Sequence, residues 1–481
     1  MYNNIKIIIP LLFLLFNFYN FSQSETCELK SVIDELVTDP FFESSSIAID
    51  VFNLTENTSL YRHNEKLLLN PASNMKILTA AAGLYYLGTE FKFKTEMYHT
   101  GIITGNVLYG DLYIVGGLDP LFKTKELDSL IKSIQLLQIK TITGNIYADV
   151  SIKDSLYWGN GWVWDDEPDP DAPYLSALNI NGNCIEVFVE GSEVDSPAVV
   201  TIIPETDYVQ ISNNALTVHP DIETDFELTR DWVNRSNKII IDGIVNKNEI
   251  IDSLESLEKI SVIYPENYFL TLFKEHLERE GISVNGDIGI KKVPENKVFL
   301  SSVIRTMDSV LIYINKESDN LSAEMLLYAM AFNDSGAPAV AENGIAVIEK
   351  LIEEVGLDPE DYSLADGSGV SRYNLLSAEL ILEVLKNIYY NQPELYKDFY
   401  NSLAIGGVDG TLNKRMQEKS LSENVHAKTG TLQGVSALSG YLISINGDLI
   451  AFSILIQNYI GKSLKAQYYL DTICEHIANC N

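Results

Sequence analysis

Ser73 and Lys76 lie three residues apart in Ser73-Asn74-Met75-Lys76, at the head of an apolar run from Met75 to Leu87 that Gly88 stops. The run predicts a helix of about a dozen residues. On a helix, a spacing of three puts both side chains on one face, within reach of each other. A serine hydroxyl attacks poorly until a neighbouring base takes its proton, and a lysine desolvated beside it can be that base. The helix N-terminus adds backbone N–H groups and positive potential where an oxyanion would develop. A serine at that place could equally cap the helix and do nothing more, so the pair alone decides little.

Two further groups follow it in order. Ser318-Asp319-Asn320 precedes Leu321-Ser322-Ala323-Glu324 and an apolar helix, and all three of its residues are also good helix caps. Lys428-Thr429-Gly430-Thr431 offers a cation and two hydroxyls on an edge strand, where Gly430 permits close approach of an extended ligand; the plain alternative is a turn before the strand Ser439 to Ile445. Each group is weak by itself. Their succession is the set used by penicillin-binding proteins and serine β-lactamases. Competing chemistries find no residues. The six histidines form no His-x-x-x-His or His-x-His pair, and there is no Gly-x-Ser-x-Gly elbow or phosphate-binding glycine loop. No metal and no cofactor are expected.

The elements around these groups alternate in kind. A helical pattern, Glu28 to Leu36, ends at Asp39-Pro40; a strand, Ile47 to Phe52, turns through Asn53 to Asn57 and returns at Leu60-Tyr61-Arg62. From about Phe91 to Ile290 the texture is short strand-like runs, such as Asp111 to Val115, Ile185 to Val189 and Ala198 to Ile203. Helical patterns resume at Ser318 to Phe332, Ala339 to Val355 and Ser377 to Tyr390. The strands Ser439 to Ile445 and Leu449 to Gln457, joined by Asn446-Gly447, then precede a final helix from about Leu464. This order reads as an α/β (α+β) domain, an antiparallel sheet flanked by helices, formed by residues 25–92 and 295–481. A β-rich insertion, 93–294, splits it.

Residues 1–24 read as an export signal: Lys6, an apolar run Ile7 to Phe21, then Ser22-Gln23-Ser24. The run falls short of the ~20 residues a membrane span needs, and a retained anchor is the alternative. The mature chain is then expected to be soluble, without an integral membrane span, outside the cytoplasm. The net charge of −33 opposes nucleic acid and anionic membranes and is compatible with a cation-bearing peptide or cationic polymer. Of the four cysteines, Cys27 could pair with Cys474 or Cys480 and tie the two ends together, or the thiols could be solitary and buried.

With these stretches in view, the chain resembles the D-alanyl-D-alanine carboxypeptidases/endopeptidases of the low-molecular-mass, class C penicillin-binding type, over essentially the whole mature length. The matching stretches are Asn70 to Lys76, Gly110 to Pro120, Trp162 to Asp166, Asp366 to Arg372 and Gly407 to Leu412. Leu118 stands where glycine is usual and Val370 where leucine is usual. Ser73 and Ser318 are 245 residues apart, far more than a compact β-lactamase allows, and this family carries its inserted domains there. The resemblance implies that Ser73 forms an acyl-enzyme with Lys76 as its base. Ser318 relays the proton to the leaving D-alanine amine, and Asn320 holds the substrate amide and Lys76. Lys428 tunes the local potential, Thr429 and Thr431 bind the terminal carboxylate beside Gly430, and the backbone N–H groups of Ser73 and Thr431 form the oxyanion hole. Asp166 (or Asp165 beside it), Arg372 and Gln433 match the positions that hold the amine-bearing end of the peptidoglycan stem peptide. β-Lactam antibiotics are the implied covalent inhibitors. A β-lactamase, or a silent wall-binding protein of the same fold, are the alternatives.

Overall fold

The computed structural model describes residues 29–247 and 258–479. The expected export signal, Cys27 and Cys480 lie outside the described residues. Cys184 and Cys474 are buried thiols.

The strand Ser46–Asn53 is buried along almost its whole length, as are Val435–Ile443 and Leu449–Gln457. Strands covered on both faces read as continuous apolar runs rather than alternating ones. They form the middle of a six-stranded antiparallel sheet with strand order Ala404–Ile405, His426–Leu432, Val435–Ile443, Leu449–Gln457, Ser46–Asn53, Thr58–His63. Side chains alternate between faces along each strand. Ala48 and Phe52 join the core beneath the helices Met75–Leu87, Asn320–Ser335, Ala341–Glu354 and Ala378–Asn391; Ile47, Ile49 and Val51 join the core beneath Leu29–Leu36 and Leu464–Asn479. The helix Met75–Leu87 is buried around most of its circumference, which explains why its sequence lacks a polar face.

Between the two halves of this layered unit, the strand Lys92–His99 leaves and Val298–Thr306 returns, paired antiparallel. The intervening residues build their own core, from Met97 to Ile282, beneath a five-stranded sheet and three smaller sheets. The region also holds two helices that the β-rich reading left out, Thr124–Leu136 and Pro265–Arg279. In the first, Leu127, Leu130, Ile131 and Ile134 are buried at helical spacing. Met307–Asn315 and Pro393–Ser402 are likewise helices beyond those expected.

The Lys428 group lies on an edge strand as expected, His426–Leu432, and is not a turn; it is joined through Gln433-Gly434 to the next strand, Val435–Ile443, which begins earlier than the expected Ser439. The outer neighbour of His426–Leu432 pairs only with His426 and Ala427, so the stretch from Lys428 onward is an open edge.

Candidate active site

Ser73 sits in a short 3-10 turn, Ala72–Asn74, before the helix that begins at Met75. The turn is held from several sides. Ala72 has φ of 45° and donates its N–H to the Asn70 side chain at 2.9 Å; Asn70 in turn donates to the Ser371 carbonyl at 3.1 Å. Asn74 donates to Ser439 in the sheet at 2.9 Å. Gly369 packs against the same turn with φ of 87°, and a Cβ there would lie 1.9 Å from the Ala72 carbonyl oxygen. Ser73 is not a cap. Its Oγ accepts a hydrogen bond from Lys76 Nζ at 2.9 Å.

Lys76 is completely buried. Its Nζ also donates to Asn320 Oδ1 at 2.5 Å and to the Ser368 carbonyl at 2.6 Å. Burial pushes its pKa down to about 8; the carboxylates of Asp366, Asp319, Glu324 and Asp171 act in the opposite sense.

The Ser318-Asp319-Asn320 turn divides its labour. Asp319 is the helix cap, accepting from Ser322 N–H at 2.7 Å. Ser318, at φ of 59°, and Asn320 are thereby turned toward the cleft. Ser318 Oγ accepts from Lys428 Nζ at 2.8 Å, and Asn320 Nδ2 donates to the Asp171 carbonyl at 2.6 Å. Lys428 is fully buried, also donates to its neighbour's Thr429 carbonyl at 2.9 Å, and has its pKa driven well down by burial and then by the charge on Lys76. Thr429 Oγ1 donates to Thr411 Oγ1 at 2.7 Å. Gly430 is required by close packing, since a Cβ would meet the Pro71 carbonyl oxygen at 2.8 Å. The five predicted chemical residues, from three distant stretches, thus converge on one point.

They open onto a cleft of about 490 Å³, lined by Ser73, Ser318, Asn320, Thr429 and Thr431. Its other wall carries Asp165, Asp166, Asp169 and Asp171. Asp166 accepts from Val163 N–H at 2.9 Å, and its pKa is raised, chiefly by burial, with Arg372 acting against the rise. Both Asp165 and Asp166 line the cleft, so the structure keeps both as candidates. Arg372 and Gln433 are exposed, and Arg372 donates to the Gln433 carbonyl at 3.2 Å. Val370 and Leu432, just before them in the chain, line the cleft.

Sequence reasoning missed the layer beneath Lys76. Glu324 is buried and accepts from Gly367 N–H and Ser368 N–H at 2.9 and 2.8 Å, with its pKa raised to about 8, first by burial and then by Asp366. Asp366 accepts from Gly369 N–H at 2.8 Å and Ser371 N–H at 2.7 Å. Together they fix the loop whose Ser368 carbonyl receives Lys76. The signal was present in the charged Asp366 to Arg372 stretch and in Glu324, one turn beyond Asn320. Among the described residues, no cluster of His, Cys, Asp and Glu side chains is placed to hold a metal ion. No helix among them is long and apolar enough to cross a membrane.

The chain is similar to known proteins over most of its length. Residues 29–472 match the family described as D-Ala-D-Ala carboxypeptidase 3 (S13). A D-alanyl-D-alanine carboxypeptidase of Actinomadura sp. (strain R39) is 30% identical over 92% of this chain and 83% of its own length. The D-alanyl-D-alanine carboxypeptidase DacB of Haemophilus influenzae is 27% identical over 88% of each chain. The crystal structure of penicillin binding protein 4 (dacB) from Haemophilus influenzae superposes with a TM-score of 0.80 at 25% identity, covering 92% of this chain and 97% of that one.

Proposed function

The chain belongs to the D-Ala-D-Ala carboxypeptidase 3 (S13) family of serine hydrolases, and on that footing we propose how its own residues divide the reaction. A neutral amine has two N–H bonds and one lone pair. Two fixed acceptors, Asn320 Oδ1 and the Ser368 carbonyl, take the two N–H bonds of neutral Lys76. The lone pair is then left facing Ser73, 2.9 Å away. This arrangement carries the reading, since it supports Lys76 as the base for Ser73.

Ser73 Oγ attacks the carbonyl carbon of the penultimate D-alanine, and its proton passes to Lys76. The backbone N–H groups of Ser73 and Thr431 receive the developing oxyanion. As the C–N bond breaks, the proton held by Lys76 is relayed through Ser318, beside Lys428, to the departing D-alanine amine, which leaves both residues as they began. Water then hydrolyses the Ser73 ester. The terminal carboxylate of the substrate lies against Thr429, Thr431 and Lys428, at the open strand edge. Asp166 or Asp165 takes the cationic end of the stem peptide, with Arg372 and Gln433 at the rim. β-Lactams, whose ring carbonyl takes the place of the scissile amide, inhibit by forming the same ester. The enzyme acts outside the cytoplasm, on peptidoglycan.

Incubation with purified muropeptides, followed by mass analysis, tests the proposal. The wild type should release single D-alanine residues or open D,D-cross-links, and Ser73→Ala should do neither. Full activity in Ser73→Ala would overturn it.

A further inference from the structure

A second cleft, of about 730 Å³, shares one wall with the catalytic cleft. All four tryptophans of the chain, Trp158, Trp162, Trp164 and Trp232, line it. Along the shared segment, Trp164 faces this cleft while Asp165, the next residue, faces the catalytic one. The two clefts therefore meet along the segment from Trp164 to Glu167.

The rim of this cleft is not core: Trp164 is 70% exposed and Tyr264 42%, and Trp158 and Trp232 are half-buried, whereas Trp162 forms the buried floor. The Trp164 and Trp232 rings lie 5.3 Å apart, tilted by 37°, although one comes from the shared wall and the other from the turn after the strand Asp225–Arg230 of the middle region. Leaving large indole faces in water is unfavourable, and contiguous exposed aromatic surface marks a binding site. The wall is also built to stay in place. Buried Arg230 donates to Glu167 Oε2 at 2.6 Å, and Tyr174 Oη donates to Glu167 Oε1 at 2.5 Å. Trp162 Nε1 donates to Asp366 Oδ2 at 2.9 Å, anchoring the cleft floor to the loop that carries Ser368. Arg235 and Glu167 provide polar groups among the rings.

Flat aromatic faces with hydrogen-bonding groups among them are the chemistry that receives a pyranose ring, its C–H face against an indole and its hydroxyls on the polar groups. The net charge of −33 disfavours a polyanionic wall polymer as occupant. We propose that this aromatic cleft binds neutral sugar rings of the glycan strand whose stem peptide occupies the catalytic cleft. The inference rests on the peptide reading above and extends it: the enzyme grips its polymer on both sides of one wall.

The test compares a disaccharide-linked pentapeptide with the free pentapeptide, in wild type, Trp232→Ala and Trp232→Phe, with the rate of penicillin acylation measured on the same samples. Trp232 lies in a turn, so its replacement leaves the core intact. Loss of one stacking contact of about 1.5 kcal/mol corresponds to about tenfold. Trp232→Ala should therefore lower kcat/KM for the disaccharide-linked substrate about tenfold while free-peptide hydrolysis and acylation stay unchanged, and Trp232→Phe should restore most of the loss. Equal wild-type kcat/KM on the two substrates, or an equal fall on both in Trp232→Ala, would overturn the proposal. Absence of acylation in the wild type would instead contradict the Ser73 mechanism and leave the two failures distinguishable.

Discussion

The two buried lysines of the cleft stand in opposite surroundings. Lys76, on the helix that follows the Ser73 turn, has three oxygen acceptors and four carboxylates acting on it, so burial lowers its pKa only to about 8. Lys428, on the open edge strand, has a hydroxyl and a carbonyl, and the charge on Lys76 pushes its pKa further down. Equal burial thus produces a base poised near neutrality in one place and a cation short of a counter-charge in the other. On the mechanism proposed above, the substrate carboxylate would supply the counter-charge to Lys428, so that one lysine is finished in the free enzyme and the other is completed by the substrate.

Removing the base breaks this contrast most severely. Lys76→Ala should lower acylation by at least about 10³-fold, the scale seen when a nucleophile loses its partner, with the fold retained by circular dichroism. Lys428→Ala should lower kcat/KM for a peptide with a free terminal carboxylate about 10²-fold, and less for the same peptide amidated at that end. An equal loss on both peptides would show that Lys428 does not meet the carboxylate.

Smaller changes sharpen the comparison. The base form of Lys76 grows as pH rises, so the acylation rate should climb through neutrality and level off above about pH 8. Asp319 raises the Lys76 pKa, and Asn at this cap position still accepts from Ser322 N–H. Asp319→Asn should therefore move that limb to lower pH with little change in plateau rate. Glu324 gives the stability counterpart. Its folded pKa, about 8, lies above the ordinary carboxyl value of 4.5, so its contribution to stability is present below 4.5 and lost as pH rises toward 8. Glu324→Gln keeps the acceptor oxygen and should flatten this fall, measured as Tm against pH.

The residues proposed to do chemistry were legible because their spacing is local: Ser73 with Lys76, Ser318 with Asn320, Lys428 with Thr431. The helix Met75–Leu87 and the strand Leu449–Gln457 were legible for a related reason, as uninterrupted apolar runs bounded by Gly88 and by Asn446-Gly447. What spacing cannot show is which element turns a group inward. The bounds of the edge strand, His426–Leu432, and the early start of its partner at Val435 are set by their pairing with each other, which the chain does not spell out. Helices such as Thr124–Leu136 were masked by the strand-like runs around them. The carboxyls of Glu324 and Asp366 resemble surface charges in the chain and become a buried support only when the loop from residue 366 to 369 folds beneath Lys76. Leu118, at a position where glycine is usual, adopts φ of 64°, a conformation that glycine reaches without strain.

The most direct test of the central claim is the covalent adduct itself. Intact-protein mass after reaction with benzylpenicillin, followed by peptide mapping, should show one penicilloyl group, carried by Ser73 and absent in Ser73→Ala. An adduct on another residue, or none in the wild type, would contradict the account.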